Sequence, residues 1–117
     1  DIGHVMAHAS VAVIASQYET SCRVAMEALE FGCPLVSTPV GIVPELSEAE
    51  QTVILTAAEP QAMAAAVRRV LEEPGLAQRM RERGQALVER DGGHRRAAQE
   101  MAAVYQEALA ERLRGNK

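Results

Sequence analysis

A chain of 117 residues suffices for one small domain and not for two, and with 48% hydrophobic residues, 3% aromatics and no Trp its core has to be aliphatic. The formal charge of −4 is uneven: residues 1–59 carry eight acids against Arg23 alone, and residues 60–117 carry eight acids against eleven bases. A basic stripe interleaved with stacking aromatics is missing, which argues against a nucleic-acid reader; no apolar run approaches the roughly 20 residues of a membrane span, and a soluble, cytoplasmic protein is expected.

Asp1 leads into a short apolar-rich piece, Ile2 to Ala9, that reads as an edge cut inside a larger domain. His4 and His8 share one helix face, a spacing that suits metal binding, but no acid, Cys or third His stands beside them and no metal role is assigned. The run Val11 to Ala15 is continuously apolar with β-branched members, as in strands buried on both faces of a parallel sheet. A loop, Ser16 to Ser21, leads to a helix over Arg23 to Phe31 with Val24, Ala28, Leu29 and Phe31 as its apolar stripe. Thr20 or Ser21 serves as N-cap and Gly32 as the left-handed stop. A helix between Cys22 and Cys33 holds them roughly 16 Å apart, too far for a disulfide, so free thiols in a reducing compartment are expected.

Pro34 to Thr38 reads as a second buried strand, the Pro tolerated at its start. After Pro39 to Gly41, Val43 to Leu46 reads as a short helical turn with an early Pro, and Thr52 to Leu55 as a third strand. This alternation predicts right-handed crossovers and a parallel α/β sheet of about three strands. From Glu59 onward the pattern is helical. Met63, Ala66, Val67, Val70 and Leu71 mark one helix and Pro74-Gly75 breaks it. Leu76, Met80, Leu87 and Val88 mark a second, stopped by Asp91 to Gly93. Met101, Val104, Tyr105 and Leu109 mark a third, read as core, with a frayed tail at Gly115 to Lys117.

Ligands of open α/β sheets bind at the carboxyl ends of the strands, so the loops 16–21 and 38–44 should line one crevice. Glu19 would project into it, and the helix beginning near Cys22 would aim free N–H groups and a positive dipole end at the same space, which suits a phosphate. Glu27, separated from Glu19 by seven residues, would reach the crevice edge and accept hydrogen bonds from a vicinal diol such as a ribose. Glu45 is divided between capping its turn and lining the crevice. Ser16 and Thr38 read as local hydrogen-bonding residues, and Cys22 as a small residue at a helix start, where the dipole could lower its pKa.

Ser16 to Glu19, Val24 to Leu29 around Glu27, Gly32 to Val36, Thr38 to Gly41 and Pro44-Glu45, in this order and spacing, resemble the donor-binding lobe of the retaining GT-B glycosyltransferases of the E-x7-E class, group 1, family 4. The similarity extends through Glu59-Pro60, Leu71 to Pro74 and Tyr105. The resemblance implies a partial Rossmann-like sheet in which residues 1–59 form the C-terminal half of the nucleotide-sugar-binding lobe and residues 60–117 a helical closing segment. It implies transfer of a sugar from a nucleotide-diphosphate donor with retention of configuration and no cofactor or obligatory metal. Glu19 would be the catalytic residue beside the donor sugar. Backbone N–H groups of Thr20, Ser21, Cys22 and Arg23 would hold sugar hydroxyls and the diphosphate, and Glu27 the ribose. The acceptor would bind through an N-terminal lobe outside this chain. The 117 residues alone would be inactive, and dimeric or swapped through their stripped sheet edge. Two alternatives stand beside this one: a non-catalytic scaffold module keeping the fold, and a sugar-nucleotide epimerase, which explains the Glu pair less well.

Overall fold

A computed structural model describes residues 1–91 and 93–115. Three parallel strands, β1 (Ala12–Ile14), β2 (Leu35–Ser37) and β3 (Val53–Leu55), pair in the order β1-β2-β3. Each strand is followed by a helix: α2 (Arg23–Glu30), α3 (Val43–Glu50) and α4 (Pro60–Glu72). A short α1 (Ile2–His8) precedes them, and α5 (Leu76–Asp91) and α6 (Gly93–Gly115) complete the chain. The α/β class and the parallel sheet are as expected.

Alternation along each strand divides the core into two layers. Ile14, Leu35 and Val53 pack on one face with Ala25, Ala28 and Leu29 of α2 and Val43 and Leu46 of α3. Val36 and Ile54 point the other way, against Ala66 and Val70 of α4 and Met80 of α5. The far end of α5 then turns Leu87 and Val88 into the first layer. Beside them Arg83 donates to Gln51 just before β3 at 3.0 Å, and Gln85 lies over Gly32 just before β2. Thus α5 closes the amino ends of the strands and leaves the carboxyl ends open.

Several expectations are corrected. The β1 run is not buried on both faces: Val13 is 49% exposed, because α4 reaches only as far as Val11 and β2 on that side. The buried face of α2 is Ala25, Ala28 and Leu29, while Val24 and Phe31 lie outside it. Its N-cap is neither Thr20 nor Ser21 but Cys22, in the left-handed region at φ 55 with no side-chain cap bond. The helix does stop at Gly32, at φ 71. The turn at Val43 is the start of a full eight-residue helix with its Pro in the first turn. Leu71 is exposed rather than core, since the buried positions of α4 are Ala66 and Val70.

The largest correction is α6. Met101, Val104, Tyr105 and Leu109 are all exposed, Tyr105 by 64%. Among the described residues the main packing partner of α6 is α5, and the molecule extends over 66 × 28 × 27 Å. The expected stop at Asp91 to Gly93 coincides with the α5–α6 junction, although Gly92 lies outside the described residues, as do Asn116 and Lys117 of the expected tail. No helix of the described residues is long and apolar enough to cross a membrane. Cys22 and Cys33 are free and buried.

Candidate functional site

Three loops leave the carboxyl ends of the strands and bound one solvent-open crevice. A cavity of about 360 Å³ lies between Ser16 and Gln17 after β1, Thr38 to Val40 after β2, and Ala57 and Ala58 after β3. The first two loops were expected here. The third was missed because neither alanine carries a functional group, and only the register of β3 beside β2 brings them to the rim. Backbone bonds fix that rim: the Thr38 N–H donates to the Ile14 carbonyl at 3.1 Å, and the Thr56 N–H to the Ser37 carbonyl at 2.9 Å. A second cavity, of about 270 Å³, lies away from these loops between Ser47, Gln51, Leu76 and Met80.

Glu19 stands on the loop beyond β1, exposed, its Oε1 accepting a hydrogen bond from the Ser16 hydroxyl at 2.9 Å. Ser16 is itself held, because the hydroxyl of Thr38 donates to its carbonyl at 2.6 Å. Thr20 and Ser21 are exposed and lead into Cys22, which is buried at the entry of α2. The first bond inside the helix runs from the Ala25 N–H to the Cys22 carbonyl at 3.0 Å. The amides of Arg23 and Val24 precede that bond and have no partner within the helix, as at any helix start.

The loop after β2 presses on this entry. Gly41 has φ 52, and a Cβ there would stand 2.9 Å from the Ser21 carbonyl carbon and 3.0 Å from the Cys22 Cβ. The β1–α2 and β2–α3 loops are therefore in van der Waals contact where a helix dipole emerges. Arg23 turns to Glu27, with Nε 3.6 Å from Oε1, and the side chains are 79% and 21% exposed. The two glutamates thus have separate surroundings, Glu19 at the loop and Glu27 half-buried against a guanidinium. Glu45 is exposed in the first turn of α3, where its charge complements the dipole.

The Cys22 thiol is pushed up from its ordinary pKa, first by burial; the Ala25 amide acts against this and the Glu19 carboxylate adds to it. The lowering that the helix start offers is outweighed by burial, and Cys22 stays a neutral thiol at pH 7. Burial likewise raises Cys33, against the pull of Arg81. His8 Nδ1 lies 2.8 Å from the His4 carbonyl oxygen, and the two rings lie tilted by 44° with centroids 4.4 Å apart. Among the described residues no three His, Cys, Asp or Glu side chains gather into a metal-binding group.

A family model described as glycosyl transferases group 1 matches residues 1–87. The MMP alpha-(1->4)-mannosyltransferase of Mycolicibacterium hassiacum is 29% identical over 112 residues, covering 94% of this chain and 27% of that protein. The glycogen synthase of Mycobacterium tuberculosis is 37% identical over 98 residues, covering 83% and 24%. Among solved structures, the sucrose-phosphate synthase from Thermosynechococcus elongatus superposes with a TM-score of 0.79 at 28% identity, over 92% of this chain and 27% of that one. The chain spans about a quarter of the length of these relatives.

Proposed function

The chain belongs to the group 1 glycosyl transferases, and from that premise we propose that it supplies half of a donor site in an enzyme that moves a sugar from a nucleotide-diphosphate donor to an acceptor with retention of configuration. The observation that carries this is the meeting of the Glu19 loop, the α2 entry and Gly41 at the carboxyl ends of the strands. Glu19 faces the donor sugar. The N–H groups from Thr20 to Arg23 receive sugar hydroxyls and the diphosphate, whose charge the helix dipole favours. Because Cys22 stays protonated, no thiolate opposes that charge. Glu27 binds the ribose diol once Arg23 yields its place. Residues 1–59 form the C-terminal half of the nucleotide-sugar lobe and residues 60–117 close it. The rest of the donor site and the acceptor site belong to segments outside this chain, which would be inactive alone.

The relatives are named for three different products, so neither donor sugar nor acceptor is assigned, and the family match favours a transferase over an epimerase. Two buried free thiols suit a reducing, cytoplasmic setting. The test is a panel of UDP-, GDP- and ADP-sugars against the full-length protein in the presence of a chelator, with the product anomer read by NMR. Transfer from one nucleotide class with the donor's own anomeric configuration is expected, and Glu27→Ala should raise the donor KM about tenfold with less change in kcat, as for a contact made equally in ground and transition states. No transfer from any donor would leave the scaffold module; an inverted product would sink retention alone.

Isolated, the 117 residues leave β1 with an open edge and α6 with an uncovered apolar side. A dimer or swapped assembly is expected, and a clean monomer by light scattering would contradict it.

A further inference from the structure

We propose that Ser16 is the positioning residue for Glu19 and that Thr38 holds Ser16 in place; this rests on the donor-site reading above. Three hydroxyls stand in line from the sheet to the carboxylate. Ser37 donates to the Thr38 carbonyl at 2.7 Å. Thr38 donates to the Ser16 carbonyl at 2.6 Å, with the Ile14 carbonyl farther off at 3.4 Å. Ser16 donates to Glu19 Oε1 at 2.9 Å. The line begins in the rigid part of the molecule, since Ser37 and Thr38 are 0% and 2% exposed on and just after the central strand. It ends on an exposed loop, where a glutamate without a partner would sample several rotamers.

Among the described residues Glu19 is held by the Ser16 hydroxyl and by no ion pair, while Arg23 pairs with Glu27. A single neutral donor on one carboxylate oxygen sets the direction of the other without neutralising the charge. Preorganisation of this kind acts on the reacting geometry, where misplacement by about 1 Å is costly. Ser16 thus acts through Glu19, and Thr38 acts through Ser16.

A double-mutant cycle in the full-length enzyme tests this. Ser16→Ala is expected to lower kcat/KM by about five- to tenfold, in the range of one ordinary, solvent-accessible hydrogen bond, and Ser16→Thr to restore most of it. Ser16→Cys, nearly isosteric with a weaker donor, should fall between. In a Glu19→Ala background the same Ser16→Ala change should have no further effect, an outcome that a merely structural role would not give. Equal losses in both backgrounds, or Ser16→Cys matching the wild type, would overturn the proposal. A severe Glu19→Ala beside a silent Ser16→Ala sinks the positioning role alone. A silent Glu19→Ala sinks the donor-site reading, and the positioning role with it.

Discussion

Replacing Glu19 by Ala in the full-length enzyme is expected to reduce kcat/KM by about 100- to 1,000-fold, the range for removing one preorganised polar group at a reacting centre. Stability should barely move. The side chain is exposed, and its partner is the hydroxyl of Ser16, so the change falls among surface substitutions that stay within about 0.5 kcal/mol. The loss should be kinetic, with an unchanged melting curve. Glu19→Gln keeps an acceptor for Ser16 and removes the charge, so it separates orientation from electrostatics: a loss as deep as that of Glu19→Ala assigns the effect to the charge. A kcat/KM within about threefold of wild type for Glu19→Ala would remove this residue from the reaction.

How much of this was legible in the sequence depended on whether a feature is local or depends on coverage. The run from Leu35 to Ser37 reads as a buried strand and is fully buried. Val13 belongs to the same kind of run, yet half its surface is exposed, because burial on the second face depends on whether another element reaches it. The same distinction governs α6. Its periodicity gives the helix and the side on which Met101, Tyr105 and Leu109 gather, but not whether anything packs there.

The crevice was legible because connectivity alone brings strand ends together. Its finer chemistry was not. Thr20 and Ser21 have the side chains that cap helices, but the chain enters α2 through a left-handed Cys22 instead. The contact with Gly41, twenty residues away in a different loop, accompanies that entry. Ser16 and Thr38 were readable as local hydrogen bonders; that their bonds run in line to Glu19 required the placement of β1 beside β2.

Gly41 ties the fold to the site, and Gly41→Ala is expected to damage both. At φ 52 an alanine carries the left-handed penalty of about 1 kcal/mol. Its Cβ would also meet backbone and Cβ atoms of Ser21 and Cys22 at 2.9 to 3.1 Å, atoms that no rotamer change can move away. Relief requires the β2–α3 loop and the α2 entry to separate, for a total of about 2–4 kcal/mol in stability and a donor KM raised about tenfold by the displaced N–H groups. Gly75→Ala is the control. Gly75 shares the conformation at φ 77, but its Cβ would meet only Arg79 Nη1 at 3.0 Å, the far end of a flexible side chain, and it lies in the α4–α5 connection. That variant should lose about 1 kcal/mol and leave the donor KM unchanged. The difference between the two variants in denaturant unfolding isolates the close approach from the backbone angle. Equal losses would mean that the two loops are not held together at Gly41, and an unchanged donor KM in Gly41→Ala would mean that their contact does not shape the crevice.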